Sequence, residues 1–115
     1  MSIAVIMGAL ARARLPLNDE KRLQVEIEPL LARTGLLIRR EVTLAPGDVV
    51  DFMADDIAIE IKIKGQRRAI LRQCERYAAH DAVAAIILVT NVAMGFPATL
   101  NGKPTAVLNL GRAWL

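Results

Sequence analysis

An α/β fold, with an antiparallel hairpin set inside a mixed sheet flanked by helices, is what this chain predicts, and three stretches predict it. Over residues 57–64 the alternation is strict: Ile57, Ile59, Ile61 and Ile63 fall on one face, and Ala58, Glu60, Lys62 and Lys64 on the other. A period of two is the signature of a strand. Residues 83–90 are an unbroken apolar run with β-branched members, as a strand covered on both faces requires. Between them, residues 66–80 carry Ala69, Ile70, Cys74, Tyr77 and Ala78 at helical spacing. A helix joining two strands allows a right-handed crossover, and hence parallel pairing beside the hairpin.

From the N-terminus, residues 1–17 form a short apolar helix or arm ending at Pro16, able to cover the edge of a core or to mediate self-association. Asn18 or Asp19 can cap the next helix, whose first turn is acidic. Leu23, Ile27, Leu30 and Leu31 make its apolar stripe. Pro29 lacks an N–H and predicts a kink or interruption near Ile27, and Gly35 closes the element. Residues 36–44 read as the first strand, with Arg39, Arg40 and Glu41 as its exposed middle. Pro46-Gly47 marks a turn. Residues 49–53 are β-prone around a single acid, Asp51, and pair with 57–64 through Asp55-Asp56 or through the four residues 54–57. Gly65 breaks the strand, and in the following helix Gln73 and Tyr77, four apart, share a face. After the buried strand, 91–97 is loop. Asn101-Gly102 is the strongest hairpin-turn dipeptide, 105–110 is the last strand and 112–115 a tail. The chain reads as one domain: an arm over 1–17, a core over 18–90, and a C-terminal hairpin and tail over 91–115.

At 115 residues the chain can bury one core. A hydrophobic content of 54% excludes a disordered polypeptide. No apolar run reaches the roughly 18 residues of a membrane span. The apolar segment 3–10 has its arginines, Arg12 and Arg14, after it, the wrong order for a secretory signal. One cysteine, Cys74, forbids an internal disulfide and suits a reducing cytoplasm; with a single histidine it cannot complete a zinc site. The net charge of +3 is modest, but Lys62, Lys64, Arg67, Arg68, Arg72 and Arg76 crowd one stretch against Glu75. Such a cluster is either a solvated helix face or an attraction for nucleic-acid backbones. Aromatics are too few for a base-stacking single-strand platform.

Either turn length sets Asp51 opposite Glu60 and Val49 opposite Lys62. Opposed Cβ atoms lie roughly 5 Å apart, and like charges so placed destabilise a sheet. A divalent cation between them reverses the penalty, and carboxylates with open positions for water and phosphate are how Mg²⁺ is usually held. Lys62, on the same face as Glu60, points its ammonium at whatever the metal binds. The plainer alternative is a solvated strand face with a weak ion pair and a turn-flanking acid at position 51. Glu20 lies near the apolar stripe, about 60° from Leu23, whereas Glu26 and Glu28 point further off. It is either a third carboxylate near the metal or an acid favoured by the helix macrodipole.

The ordered set Glu20, Asp51, Glu60-Ile61-Lys62 and Gln73-x-x-x-Tyr77, spread over residues 19–90, resembles the PD-(D/E)XK nuclease superfamily. The Gln-x-x-x-Tyr helix is similar to that of its RecB-type branch, and small phage-borne nucleases and archaeal Holliday-junction resolvases share the compact layout. Val50 stands where the motif often has proline. The resemblance implies a restriction-endonuclease-like αβββαβ core and hydrolysis of DNA phosphodiesters with Mg²⁺ or Mn²⁺. By position it implies that Asp51, Glu60 and the Ile61 carbonyl ligate metal, and that Glu20 (or Glu26) holds a second ion or an ordered water. Lys62 would then orient the attacking water, and Gln73 would position backbone or water. Lys64, Arg67, Arg68 and Arg72 would contact flanking phosphates. DNA is the expected partner and a membrane is not. The apolar ends, residues 3–10 with Trp114 and Leu115, allow a homodimer or higher homo-oligomer. The alternatives are a non-cleaving nucleic-acid-binding module of the same fold and an interaction protein using its apolar arm.

Overall fold

The computed structural model describes residues 2–113. In chain order its elements are α1 (Ile3–Ala11), α2 (Glu20–Ala32), β1 (Ile38–Ala45), β2 (Asp48–Ala54), β3 (Ile57–Lys62), α3 (Arg67–Ala78), β4 (Ala85–Thr90), β5 (Thr99–Leu100), β6 (Lys103–Asn109) and α4 (Leu110–Ala113). The strands form a mixed sheet in the order β1-β2-β3-β4-β6-β5. β1, β2 and β3 are antiparallel neighbours, β3, β4 and β6 run parallel, and β5 returns antiparallel on β6. The α/β class with a hairpin beside parallel strands is therefore the observed architecture.

Apolar cores lie on both faces of the sheet. α1 and α2 contribute Ile6, Leu10, Leu23, Ile27 and Leu31 against Ile57, Ile59, Ile61, Ile87 and Val89. α3 contributes Ile70, Cys74, Tyr77 and Ala78 against Ala58, Ile86 and Leu88. The period-two alternation of β3 and β4 divides these sets, and every residue of β4 is buried. The segment expected as a helix or arm able to cover a core edge holds helix α1 and is a core layer: Ile6 and Leu10 are fully buried, each contributing about 1.5–3 kcal/mol.

Several boundaries differ from those expected. α2 runs unbroken through Pro29 instead of being interrupted near Ile27. Pro29 is exposed, and Val25, whose carbonyl it leaves without its helical partner, is 57% exposed, so water can satisfy that carbonyl. Asp19, not Asn18, is the cap, its carboxylate accepting the Arg22 N–H at 3.2 Å. β3 ends at Lys62 rather than Lys64. β6 starts at Lys103, not at 105, because Asn101 and Gly102 both take positive φ (+50° and +76°) and close a tight hairpin with Leu100 paired to Lys103. Residues 110–113 form α4, so β6 stops at Asn109 and the expected tail begins as a helix. Trp114 and Leu115, expected to favour self-association, lie outside the described residues. Among the described residues no helix is long and apolar enough to cross a membrane.

β1 and β2 change faces at one level. Phe52 and Ala54 pack in the α1–α2 core, yet Val50 packs in the α3 core. Likewise Ile38 packs with the first core and Val42 and Leu44 with the second. Strict alternation would keep each set on one side. The switch falls at Glu41, whose φ is +52°, and at Asp51 opposite it. The pairing runs from Arg40↔Phe52 to Val42↔Val50 and omits the rung between. Such irregularities re-aim a side chain, and here the side chain is that of Asp51.

Candidate active site

The β2–β3 ladder pairs Ala54↔Ile57, Met53↔Ala58 and Phe52↔Ile59, and there it stops. The next rung in this register is Asp51 against Glu60, as the hairpin predicts, but it is built from side chains. The Asp51 N–H donates to Glu60 Oε1 at 3.2 Å, and the Ile61 N–H donates to Asp51 Oδ2 at 2.8 Å. Each carboxylate takes a backbone donor, the strands part, and the expected pairing of Val49 with Lys62 does not form; Val49 is 44% exposed. The Ile61 N–H lies in the plane of the sheet, so the Asp51 carboxylate that accepts it sits in the gap. In a strand the carbonyl points to the same side as its own N–H, which turns the Ile61 carbonyl toward this gap.

The pair is held from α2 and from β3. Gln24 of α2 donates Nε2 to Asp51 Oδ1 at 3.1 Å and accepts from Arg40 at 3.3 Å, and Arg40 in turn pairs with Glu28 at 3.1 Å. The Arg40 guanidinium stands 5.8 Å from the Phe52 ring centroid. Lys62 Nζ lies 3.5 Å from Glu60 Oε2. Glu20 accepts the Ile63 N–H at 3.0 Å, just past the end of β3. Glu26 pairs with Arg22 at the surface, 3.7 Å apart, so Glu20 is the helix acid that faces the sheet. Among the described residues no three Asp, Glu, His or Cys side chains close into one metal-ligand group. Asp51 and Glu60 are a pair, with Glu20 beside it and engaged with backbone.

Burial dominates the electrostatics. Glu60 is 3% exposed; burial first, and the neighbouring Asp51 charge second, push its carboxyl up to about 8 against the pull of the Lys62 ammonium. Asp51 is raised as well, chiefly by burial, with the Ile61 N–H working in the opposite direction. Burial and the neighbouring charge thus favour a protonated Glu60 near neutrality when no cation is bound, because both acids cannot readily ionise in one desolvated gap. Two carboxylates and a carbonyl, with room for water in the remaining positions, are the oxygen donors a small divalent cation prefers.

On the other side of the sheet Gln73 and Tyr77 share a face, as their spacing predicts. Gln73 Nε2 donates to the Tyr77 hydroxyl at 2.7 Å, and that hydroxyl donates to the Val49 carbonyl at 2.8 Å. Tyr77 is fully buried, and burial raises its pKa and keeps it a donor. Gln73 therefore bears on Tyr77 and, through it, on β2 where β2 leaves β3. Cys74 is a packing thiol, pushed up to about 12 by burial. Lys64, Arg67, Arg68 and Arg72 are exposed along the loop and first turns of α3. Gln66 gives α3 no side-chain cap, and its first turn holds no acid, so two arginines stand at a helix end that favours anions.

Two groups escaped the sequence reasoning. Gln24 lies four residues after Glu20 and so shares its face, a signal that was available. Asp48 accepts from Arg76 at 3.1 Å and lies 3.0 Å from His80 Nε2; these two, His80 first, hold its carboxyl below the usual range. That group ties the start of β2 to the end of α3 across separations of 28 and 32 residues, which no local pattern links. Compared with known proteins, the chain matches no family model, no curated protein and no solved structure.

Proposed function

We propose that the chain is a metal-dependent DNA endonuclease of the PD-(D/E)XK type, with α2-β1-β2-β3-α3-β4 as its restriction-endonuclease-like core. The observation that carries this reading is the carboxylate pair where β2 and β3 part, Glu60 buried and Asp51 half-buried, with the Lys62 ammonium 3.5 Å from Glu60. Buried acids are destabilising unless paired with positive charge. A fold that holds two of them in one gap, each accepting a backbone N–H, is suited to a cation there. Asp51, Glu60 and the Ile61 carbonyl would hold Mg²⁺ or Mn²⁺, which when bound lowers the pKa of water and neutralises a phosphate. Lys62 orients the attacking water and offsets charge on the phosphate. Glu20, through the Ile63 N–H, positions the end of β3 that carries Lys62. Gln73 is a positioning residue acting through Tyr77. Lys64, Arg67, Arg68 and Arg72 neutralise flanking phosphates and set the register of the duplex without reading its bases.

A second reading, a nucleic-acid-binding module of the same fold that does not cut, is favoured by one observation: Glu20 is engaged with a backbone N–H, and among the described residues no third acid completes the pair. Labelled linear, nicked, flapped and four-way DNA incubated with Mg²⁺ or Mn²⁺ separates the two. Cleavage that EDTA abolishes is the expected result. Binding without cleavage by folded protein in either metal would sink the nuclease reading.

A further inference from the structure

Pairing sets Lys62 of β3, Thr90 of β4 and Asn109 of β6 on one rung, at the carboxyl ends of the three parallel strands. The chain leaving β4 is tied to that rung. Thr90 Oγ1 and the Asn91 N–H donate to the Lys62 carbonyl at 2.6 and 3.2 Å, and Asn109 Nδ2 donates to the Val92 carbonyl at 3.4 Å. Two hollows adjoin there. One, of about 540 Å³, begins at Gly65 just after Lys62 and is walled by Arg67, Arg68 and Ala93. The other, of about 1060 Å³, is walled by Arg67, Ala93, Asn91, Met94, Val107 and Asn109. Sharing Arg67 and Ala93, they make one trough that begins at Gly65, three residues after Lys62, and is walled by the Asn91 whose N–H bonds the Lys62 carbonyl. Crevices at the carboxyl ends of parallel strands are where α/β sheets take ligands; the larger hollow alone, about 1060 Å³, already stands at the upper limit of the roughly 300–1,000 Å³ of small-molecule sites, and the trough as a whole exceeds it.

The chemistry changes along the trough. Its near end is cationic. None of the residues lining its far end is acidic; Met94 and Val107 offer apolar surface and Asn91 and Asn109 offer amides. A cationic step followed by an apolar-and-amide step complements a nucleotide, phosphate first and then base. A base within continuous duplex is stacked and paired and must leave the helix to enter such a site. We infer that the trough receives an unpaired nucleotide next to the cleaved bond, so that the substrate class is branched DNA, a flap or junction strand, rather than uninterrupted duplex. The cleaved bond rests on the nuclease reading; the binding of the nucleotide does not.

The test uses wild type, Ala93→Glu and Met94→Glu. Ala93 is exposed and lines both hollows, so its substitution puts a carboxylate in the trough without entering the core. Initial cleavage rates in Mg²⁺ and anisotropy-detected affinities in EDTA are measured on a duplex and on the same duplex bearing an unpaired 5′ or 3′ strand. Wild type is expected to favour a flap of one polarity by about tenfold or more in both measurements, because a flap base enters without the unstacking and unpairing that a duplex base requires. Either substitution is expected to bring the flap-to-duplex ratio near one. Equal rates and equal affinities in wild type, or a preference that survives both substitutions, overturn the inference and leave the nuclease reading standing. Absence of any cleavage overturns the nuclease reading alone; a flap preference in EDTA that the substitutions remove still upholds the trough, and no such preference overturns it.

Discussion

A carboxyl group that is 3% exposed, with its pKa near 8 against an ordinary 4.5, holds a proton over a range where its unfolded counterpart does not. Its stabilising contribution is therefore fully present below about pH 4.5 and lost as pH rises through about 8. Asp51, raised in the same direction, adds to the trend. In EDTA the melting temperature is expected to fall between about pH 5 and about pH 9, and Glu60→Gln, neutral throughout, is expected to flatten the fall. A wild-type profile independent of pH would show that the gap is not desolvated. Mg²⁺ is expected to raise the melting temperature more at about pH 8 than at about pH 5, where it must displace the Glu60 proton. For catalysis, Asp51→Ala, Glu60→Ala and Lys62→Ala should each lower kcat by about 100-fold or more with an unchanged circular dichroism spectrum. Retention of wild-type cleavage by all three would remove the site assignment. Much of this chemistry was legible, since the alternation of residues 57–63 separates the isoleucines from Glu60 and Lys62. That the two acids would bond backbone donors instead of facing each other across a regular rung was not.

At the scale of elements, the site depends on β2 leaving β3 after Phe52, and the Gln73–Tyr77–Val49 chain of hydrogen bonds holds β2 to α3 at that point. Tyr77→Phe leaves the Val49 carbonyl and the Gln73 amide without their partner. It should cost about 1–2 kcal/mol in chemical denaturation and slow cleavage without changing the pH profile. A loss below about 0.3 kcal/mol would mean that the clamp does not bear on stability. Helix starts and turns were readable where one local group decides them: the Asp19 carboxylate on the Arg22 N–H, and the paired positive φ of Asn101 and Gly102. Pro29 does not interrupt α2; whether a proline does so depends on whether the carbonyl it orphans meets water, and the packing of the helix decides that.

Over the whole molecule, charge and shape coincide. Lys64, Arg67, Arg68 and Arg72 are exposed just after β3, and Arg67 and Arg68 wall the trough. DNA affinity is expected to fall linearly with log salt, and Arg67→Ala or Arg68→Ala should each reduce the slope by about 1. Arg33→Ala, at the far end of α2 from Glu20, should leave it unchanged. Slopes unaffected by every substitution on the α3 edge would place the DNA elsewhere. Sequence by itself determined the class of fold, the helical and strand faces, the hairpin that brings residues 51 and 60 near each other, and the basic stretch beside them. All of these follow from periodicity and turn chemistry within short windows. Only the tertiary structure decided that the ladder parts after Phe52, that Gln24 and Glu20 reach β2 and β3 from α2, and that the loop after β4 walls a trough. Those contacts join residues 27 and 43 positions apart, and they are set by which groups lose water together, a property that no local window carries.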